Sequence, residues 1–144
     1  MAPLLGLDGH RLVSFSSAGL SGVMLALSFP TLGHPASAWV ALVPLLVTLY
    51  GTRSNRLAFA LGLITGLIQF VGILPWLTPV MVEFGGFPWP GAVALNGLLV
   101  AYLALFPAVF AVMMVRICSH HGKWALLAAA PVWLTTELGR MWLF

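Results

Sequence analysis

Charged residues are so sparse along this chain that they act as punctuation. No Asp, Glu, Lys or Arg occurs from Leu12 to Thr52, from Leu57 to Val82, from Phe84 to Val115, or from Trp124 to Thr136. A transmembrane helix needs about 20 mainly apolar residues to cross a hydrocarbon core of about 30 Å, so the second and third runs each predict one helix. The first run holds two. Phe29-Pro30-Thr31-Leu32-Gly33-His34-Pro35 divides it, because two prolines and a glycine favour a turn over one very long helix. The pattern predicts an all-α, polytopic membrane helix bundle with five spans: Leu12–Phe29, Ala36–Tyr50, Leu57–Val80, Gly91–Val115 and Trp124–Phe144. The second is the shortest. Its fifteen residues rise only about 22 Å, so it must extend into its flanks or be re-entrant.

The loop charges give an independent check on that alternation, because Lys and Arg are retained on the cytoplasmic side while Asp and Glu contribute little to orientation. Arg11 precedes span one, Arg53 and Arg56 lie between spans two and three, and Arg116 and Lys123 lie between spans four and five. The opposite loops, Pro30–Pro35 and Met81–Pro90, contain no Lys or Arg. The prediction is an N-terminus inside and a C-terminus outside. Arg11, an apolar stretch and Ala36-Ser37-Ala38 imitate a cleaved leader, but the stretch is too long, prolines separate it from the small residues, and another apolar segment follows at once. No internal repeat or soluble domain is visible. The sequence stops inside an apolar segment, at Met141-Trp142-Leu143-Phe144, which reads as a truncation.

Composition narrows the classes further. Of 144 residues, 61% are hydrophobic and 6% charged, against roughly 25% charged in an ordinary soluble domain. With a mean hydropathy of +1.06, these figures exclude both a water-soluble globule and a disordered chain. The sequence pI of about 9.8 rests on six basic against three acidic residues, with no cluster large enough to track phosphates, so nucleic acid is not an expected partner. The single cysteine, Cys118, cannot form an internal disulfide.

Several polar and small residues carry candidate chemistry or packing. Ala18, Gly22 and Ala26, then Ala58, Gly62 and Gly66, then Gly97 and Ala101 form four-residue stripes that let helix backbones approach closely. Pro44, Pro75, Pro107 and Pro131 each remove a backbone donor and predict kinks. Trp39, Trp76, Trp89 and Trp142 fall near one predicted face and Trp124 near the other, an aromatic belt, while Trp133 sits mid-span. Ser14, Ser16, Ser17, Ser21, Gln69 and Asn96 are expected to hydrogen-bond between helices. Glu137 and Arg140 lie three apart on one helical face and interrupt an apolar run near the outer boundary, so they can pair with each other, hold a phospholipid headgroup or dock an outer domain. Cys118 with His120 and His121 matches no closed zinc pattern and reads as part of a basic interfacial loop. No metal site, cofactor site, phosphate-cradling glycine loop or Ser/His/Asp set is expected, and no catalytic residue is assigned.

The order of landmarks carries a resemblance. Ser28-Phe29-Pro30 closes span one; Ala38-Trp39-Val40-Ala41-Leu42-Val43-Pro44-Leu45-Leu46 opens span two; Gly62-x3-Gly66-Leu67 leads to Gly72 and Trp76-Leu77. Phe84-Gly85-Gly86, Tyr102-Leu103-Ala104-Leu105-Phe106-Pro107-Ala108 and Pro131-x-Trp133-x3-Glu137-x2-Arg140-x-Trp142-Leu143-Phe144 follow in turn. Together they resemble the N-terminal membrane region of bacterial apolipoprotein N-acyltransferase. The resemblance implies a multi-pass inner-membrane enzyme with its C-terminal side toward the periplasm. Its implied partners are a phospholipid acyl donor, a lipoprotein acceptor with a lipidated N-terminal cysteine, and membrane lipids. It also implies a Glu-Lys-Cys triad on a nitrilase-like domain, and none of that triad maps onto this sequence; the catalytic portion would be separate. Trp76, Glu137, Arg140 and Trp142 would then border the level at which donor and acceptor meet the catalytic domain. A non-catalytic scaffold that binds a partner helix through the small-residue stripes is the rival reading, ahead of a small transporter.

Overall fold

The structure, a computed structural model, describes residues 4–29 and 38–143. Within them lie α1 (Leu4–Leu27), α2 (Ala38–Ala41), α3 (Val43–Gly51), α4 (Asn55–Ile73), α5 (Leu77–Glu83), α6 (Trp89–His121), a 3-10 segment (Gly122–Ala128) and α7 (Ala129–Leu143). All-helical architecture is as the sequence pattern predicts, and no strand occurs among the described residues. The predicted turn at Pro30–Pro35 and the small residues Ala36 and Ser37 lie outside the described residues.

The helix ends follow local chemistry rather than the charges. Ser54 is extended and its hydroxyl accepts the Leu57 N–H at 3.4 Å, which starts α4. Pro75 stops that helix, since it has no donor and disfavours helical geometry in the residue before it. The predicted span 57–80 is therefore two helices, α4 and α5, joined through Leu74-Pro75-Trp76. Pro44 and Pro90 sit in first turns, where a missing donor costs little. Only Pro107 lies deep within a helix, buried in α6. Gly122, at φ +57°, ends α6 six residues past Arg116, so the segment expected to be a loop around Cys118 is helical. Likewise α1 runs through Arg11. Charge marks where a helix meets water; it does not stop the helix.

Contacts between the helices fix their directions. The α4 helix occupies the centre, with α1 on one side and α6 on the other. A Cβ added at Gly66 would stand 2.8 Å from Ala104 Cα, and one at Gly62 would stand 2.7 Å from Ala108 Cα, so α4 and α6 run antiparallel with backbones in contact. On the other flank, a Cβ added at Gly22 of α1 would stand 2.7 Å from the Thr65 carbonyl oxygen and one at Gly72 2.8 Å from Ala26 Cβ, so α1 and α4 run parallel. Ala18 and Ala58 are fully buried. These two stripes pack as predicted. The third does not: nothing lies within 4 Å of a Cβ at Gly97, and Ala101 is exposed.

Polar bridges tie the same helices. Ser21 accepts the Leu45 N–H at 2.9 Å, fastening α3 to α1, and Thr65 donates to the Ala18 carbonyl at 2.9 Å. Ser14 and Ser17 instead bond back to carbonyls four residues earlier, His10 and Val13, and link nothing. The Phe110 and Trp133 rings meet edge-on at 5.0 Å and 88°, seating α7 antiparallel on α6.

The glycine contacts predict opposite outcomes at two similar residues. Gly66→Val should destabilise the protein in detergent by about 1–3 kcal/mol, whereas Gly97→Ala should leave the melting temperature unchanged or raise it. Equal shifts for both would contradict the close α4–α6 approach.

Candidate functional site

Four predicted site residues stand at one end of the bundle, where α4 and α7 finish and α6 begins. Glu137 and Arg140 form an ion pair one turn apart on α7. Both side chains are about a quarter exposed, at 26% and 28%, so the pair is neither dry nor fully solvated. The Arg140 guanidinium also lies over the Phe70 ring of α4, 5.6 Å from its centroid. Exposed ion pairs contribute about 0–1 kcal/mol and a cation over a ring about 0.5–1 kcal/mol, so the cluster orients α7 against α4 more than it stabilises the fold. Trp76 and Trp142, at the same end of the bundle, are 59% and 89% exposed.

Beside this cluster, Asn96 of α6 repairs the break in α4. Its amide donates to the Leu74 carbonyl at 3.1 Å and to Thr78 Oγ1 at 2.9 Å. Leu74 is the residue before Pro75, and its carbonyl also accepts the Leu77 N–H at 3.2 Å, so Asn96 adds a second bond there and pins α5 to α6. Asn96 Oδ1 and Gln69 Oε1 are buried without a hydrogen-bond partner. Next to it, an apolar cleft of about 590 Å3 opens between α5 and α6, lined by Leu77, Met81, Leu95, Leu98, Leu99 and Tyr102.

At the opposite end lie Arg53 and Cys118, which line a shared cavity of about 420 Å3 with Tyr50 and Ser119. His120 and His121 are exposed there on the last turn of α6. Among the described residues no three of His, Cys, Asp and Glu gather closely enough to hold a metal ion. The structure thus joins Glu137 to Arg140 and separates Cys118 from both. Asn96 bonds between helices as expected from the sequence, whereas its partner Thr78 and the ring of Phe70 were not marked there. Phe70 is one apolar residue among many in its run, and only the fold brings it under Arg140.

With α4 and α6 each long and apolar enough to cross a membrane, the comparisons identify the class. The chain belongs to the apolipoprotein N-acyltransferase family, whose N-terminal domain matches residues 21–144. Relatives named apolipoprotein N-acyltransferase include that of Geobacter metallireducens, 44% identical over 126 residues, covering 88% of this chain and 24% of that protein. Those of Vibrio vulnificus and Vibrio cholerae are 34% and 32% identical, each covering 92% of this chain and 26% of the relative. The chain spans about a quarter of the length of these relatives, all at their N-terminal part. No solved structure matches it significantly.

The Arg140–Phe70 contact is separable from the ion pair. In a double-mutant cycle of Arg140→Gln with Phe70→Leu, the coupling energy should be about 0.5–1 kcal/mol by denaturation in detergent. Simple additivity would show that the ring contributes only volume.

Proposed function

We propose that this chain is the membrane-embedded N-terminal portion of an apolipoprotein N-acyltransferase, anchoring the enzyme and presenting a lipid-facing vestibule. The whole reaction moves an acyl chain from a phospholipid to the free amine of a lipoprotein's lipidated N-terminal cysteine. Family membership supports the reading, and the observation that carries it is the separation of polar chemistry between the two ends. Arg11, Arg53, Arg56 and Arg116 belong to segments that meet at one end, while the Glu137–Arg140 pair and the indoles of Trp76 and Trp142 mark the other. That distribution suits five crossings, with the N-terminus cytoplasmic and the Arg140 end at the periplasmic surface of the inner membrane.

In this arrangement Trp76, Glu137, Arg140 and Trp142 border the level at which phospholipid donor and lipoprotein acceptor approach. Arg140, held by Glu137 and by the face of Phe70, presents a fixed positive charge to a headgroup or to a docked domain. The chain supplies position and surface, not the acyl-transfer nucleophile, since Cys118 lies at the Arg53 end.

A periplasm-dependent reporter fused after Phe144 should be active; a reporter active only in the cytoplasm would overturn the five-crossing topology. Thioester trapping on this chain should label nothing, and an acylated Cys118 would contradict an anchoring role. In a full-length enzyme carrying this region, Arg140→Ala should slow acyl transfer by about tenfold while protein level falls less. Equal losses of both would reduce the pair to a structural contact.

A further inference from the structure

We propose that the Arg53 end of the bundle holds a second, separate lipid site: a cleft that binds the headgroup of an anionic phospholipid. The cleft opens between α1, α3 and the start of α4 and encloses about 500 Å3. Its lining brings together His10 and Arg11 from α1 and Arg53 from the turn between α3 and α4, and no carboxylate is among its described lining residues. Of the three acids, Glu137 is paired with Arg140 and Glu83 ends α5, both at the far end, while Asp8 stands one turn before Arg11 on α1. Arg11 and Arg53 take part in no ion pair among the described residues. Two guanidinium groups thus line one concavity without an ion-pair partner among the described residues, and a phosphodiester is the complementary anion.

Most of the hydroxyls around the cleft do not compete for that role. Ser14, Ser17, Thr48 and Thr52 each donate to the main-chain carbonyl four residues earlier in the chain, so their protons are committed. The side-chain donors left for an anion are the two arginines, His10 and the hydroxyl of Ser54, which accepts the Leu57 N–H and keeps its own proton free.

Apolar walls select a lipid over a free anion. Val13 and Val47 line the same cleft at 65% and 69% exposure, and Leu57 completes its floor. Soluble phosphate would use the basic part alone, whereas a phospholipid fills both parts, phosphate on the arginines and acyl chains along the valines. The proposal rests on the membrane-embedded reading above, but on neither the acyl-transfer assignment nor the leaflet.

The test is lipid titration of the chain purified in a neutral detergent, read by native mass spectrometry with phosphatidylglycerol against phosphatidylcholine. Phosphatidylglycerol should bind more tightly, R11Q and R53Q should each weaken it about fivefold, and R11Q/R53Q should weaken it about thirtyfold, to the level of the neutral lipid. R56Q/R116Q removes two charges from the same end but outside the cleft lining, and should retain the preference. Millimolar inorganic phosphate should not displace the lipid. Equal binding of the two lipids, or equal losses in the two double variants, would overturn the site in favour of a diffuse basic surface. Displacement by inorganic phosphate would make the ligand a soluble anion and overturn the lipid assignment. A chain that stays in solution without detergent overturns the membrane reading itself; one that needs detergent yet shows no preference overturns only this cleft.

Discussion

The contact between the backbones of α4 and α6 is the constraint from which the rest of the structure follows. At Gly62 and Gly66 the two helices leave no room for a side chain, and Ala104 and Ala108 supply the matching small surface. In an apolar solvent, burying hydrocarbon gives little drive for helices to associate, so dispersion between closely approaching backbones takes its place. Because α4 is held this tightly on one side, α1 can be built against its other side through Gly22 and Gly72. The outer helices α3 and α7 then attach by packing on that core, with Ser21 bonding Leu45 and Phe110 meeting Trp133 as specific contacts.

Hydrogen bonds in this bundle are few between helices, and each sits where the backbone needs it. Thr65 donates to the Ala18 carbonyl beside the Gly22 approach, and also to the Leu61 carbonyl of its own helix. Asn96 serves the turn at Pro75, adding a second donor to the Leu74 carbonyl, which also accepts the Leu77 N–H. The two ends differ in the fate of their charges. At one, carboxylate and guanidinium neutralise each other against an aromatic ring; at the other, Arg11 and Arg53 have no ion pair among the described residues.

The sequence made the helical class legible because long uncharged runs have few other uses, and it made the α1 and α4 stripes legible because small residues four apart mark one helical face. The spacing of Glu137 and Arg140 likewise announced their pairing. Three things were hidden for physical reasons. Helix ends ran past Arg11 and Arg116, since long basic side chains reach water without unwinding the backbone. The Gly97 stripe had the right spacing but faces away from its neighbours, which periodicity cannot distinguish from packing. Phe70 gained its role from Arg140, seventy residues away, and only the arrangement of α4, α6 and α7 brings the two together.

The 3-10 segment between α6 and α7 bears on length. The α7 helix has 15 residues and rises only about 22 Å, well short of a hydrocarbon core of about 30 Å. The seven residues Gly122–Ala128 before it are wound more tightly about their axis, so they rise about 14 Å where an α-helix would rise about 10 Å. That difference is comparable to the thickness separating thin from thick biological bilayers. A change of winding in this segment would therefore alter the combined reach of the 3-10 segment and α7 by a few ångströms without adding or removing a residue.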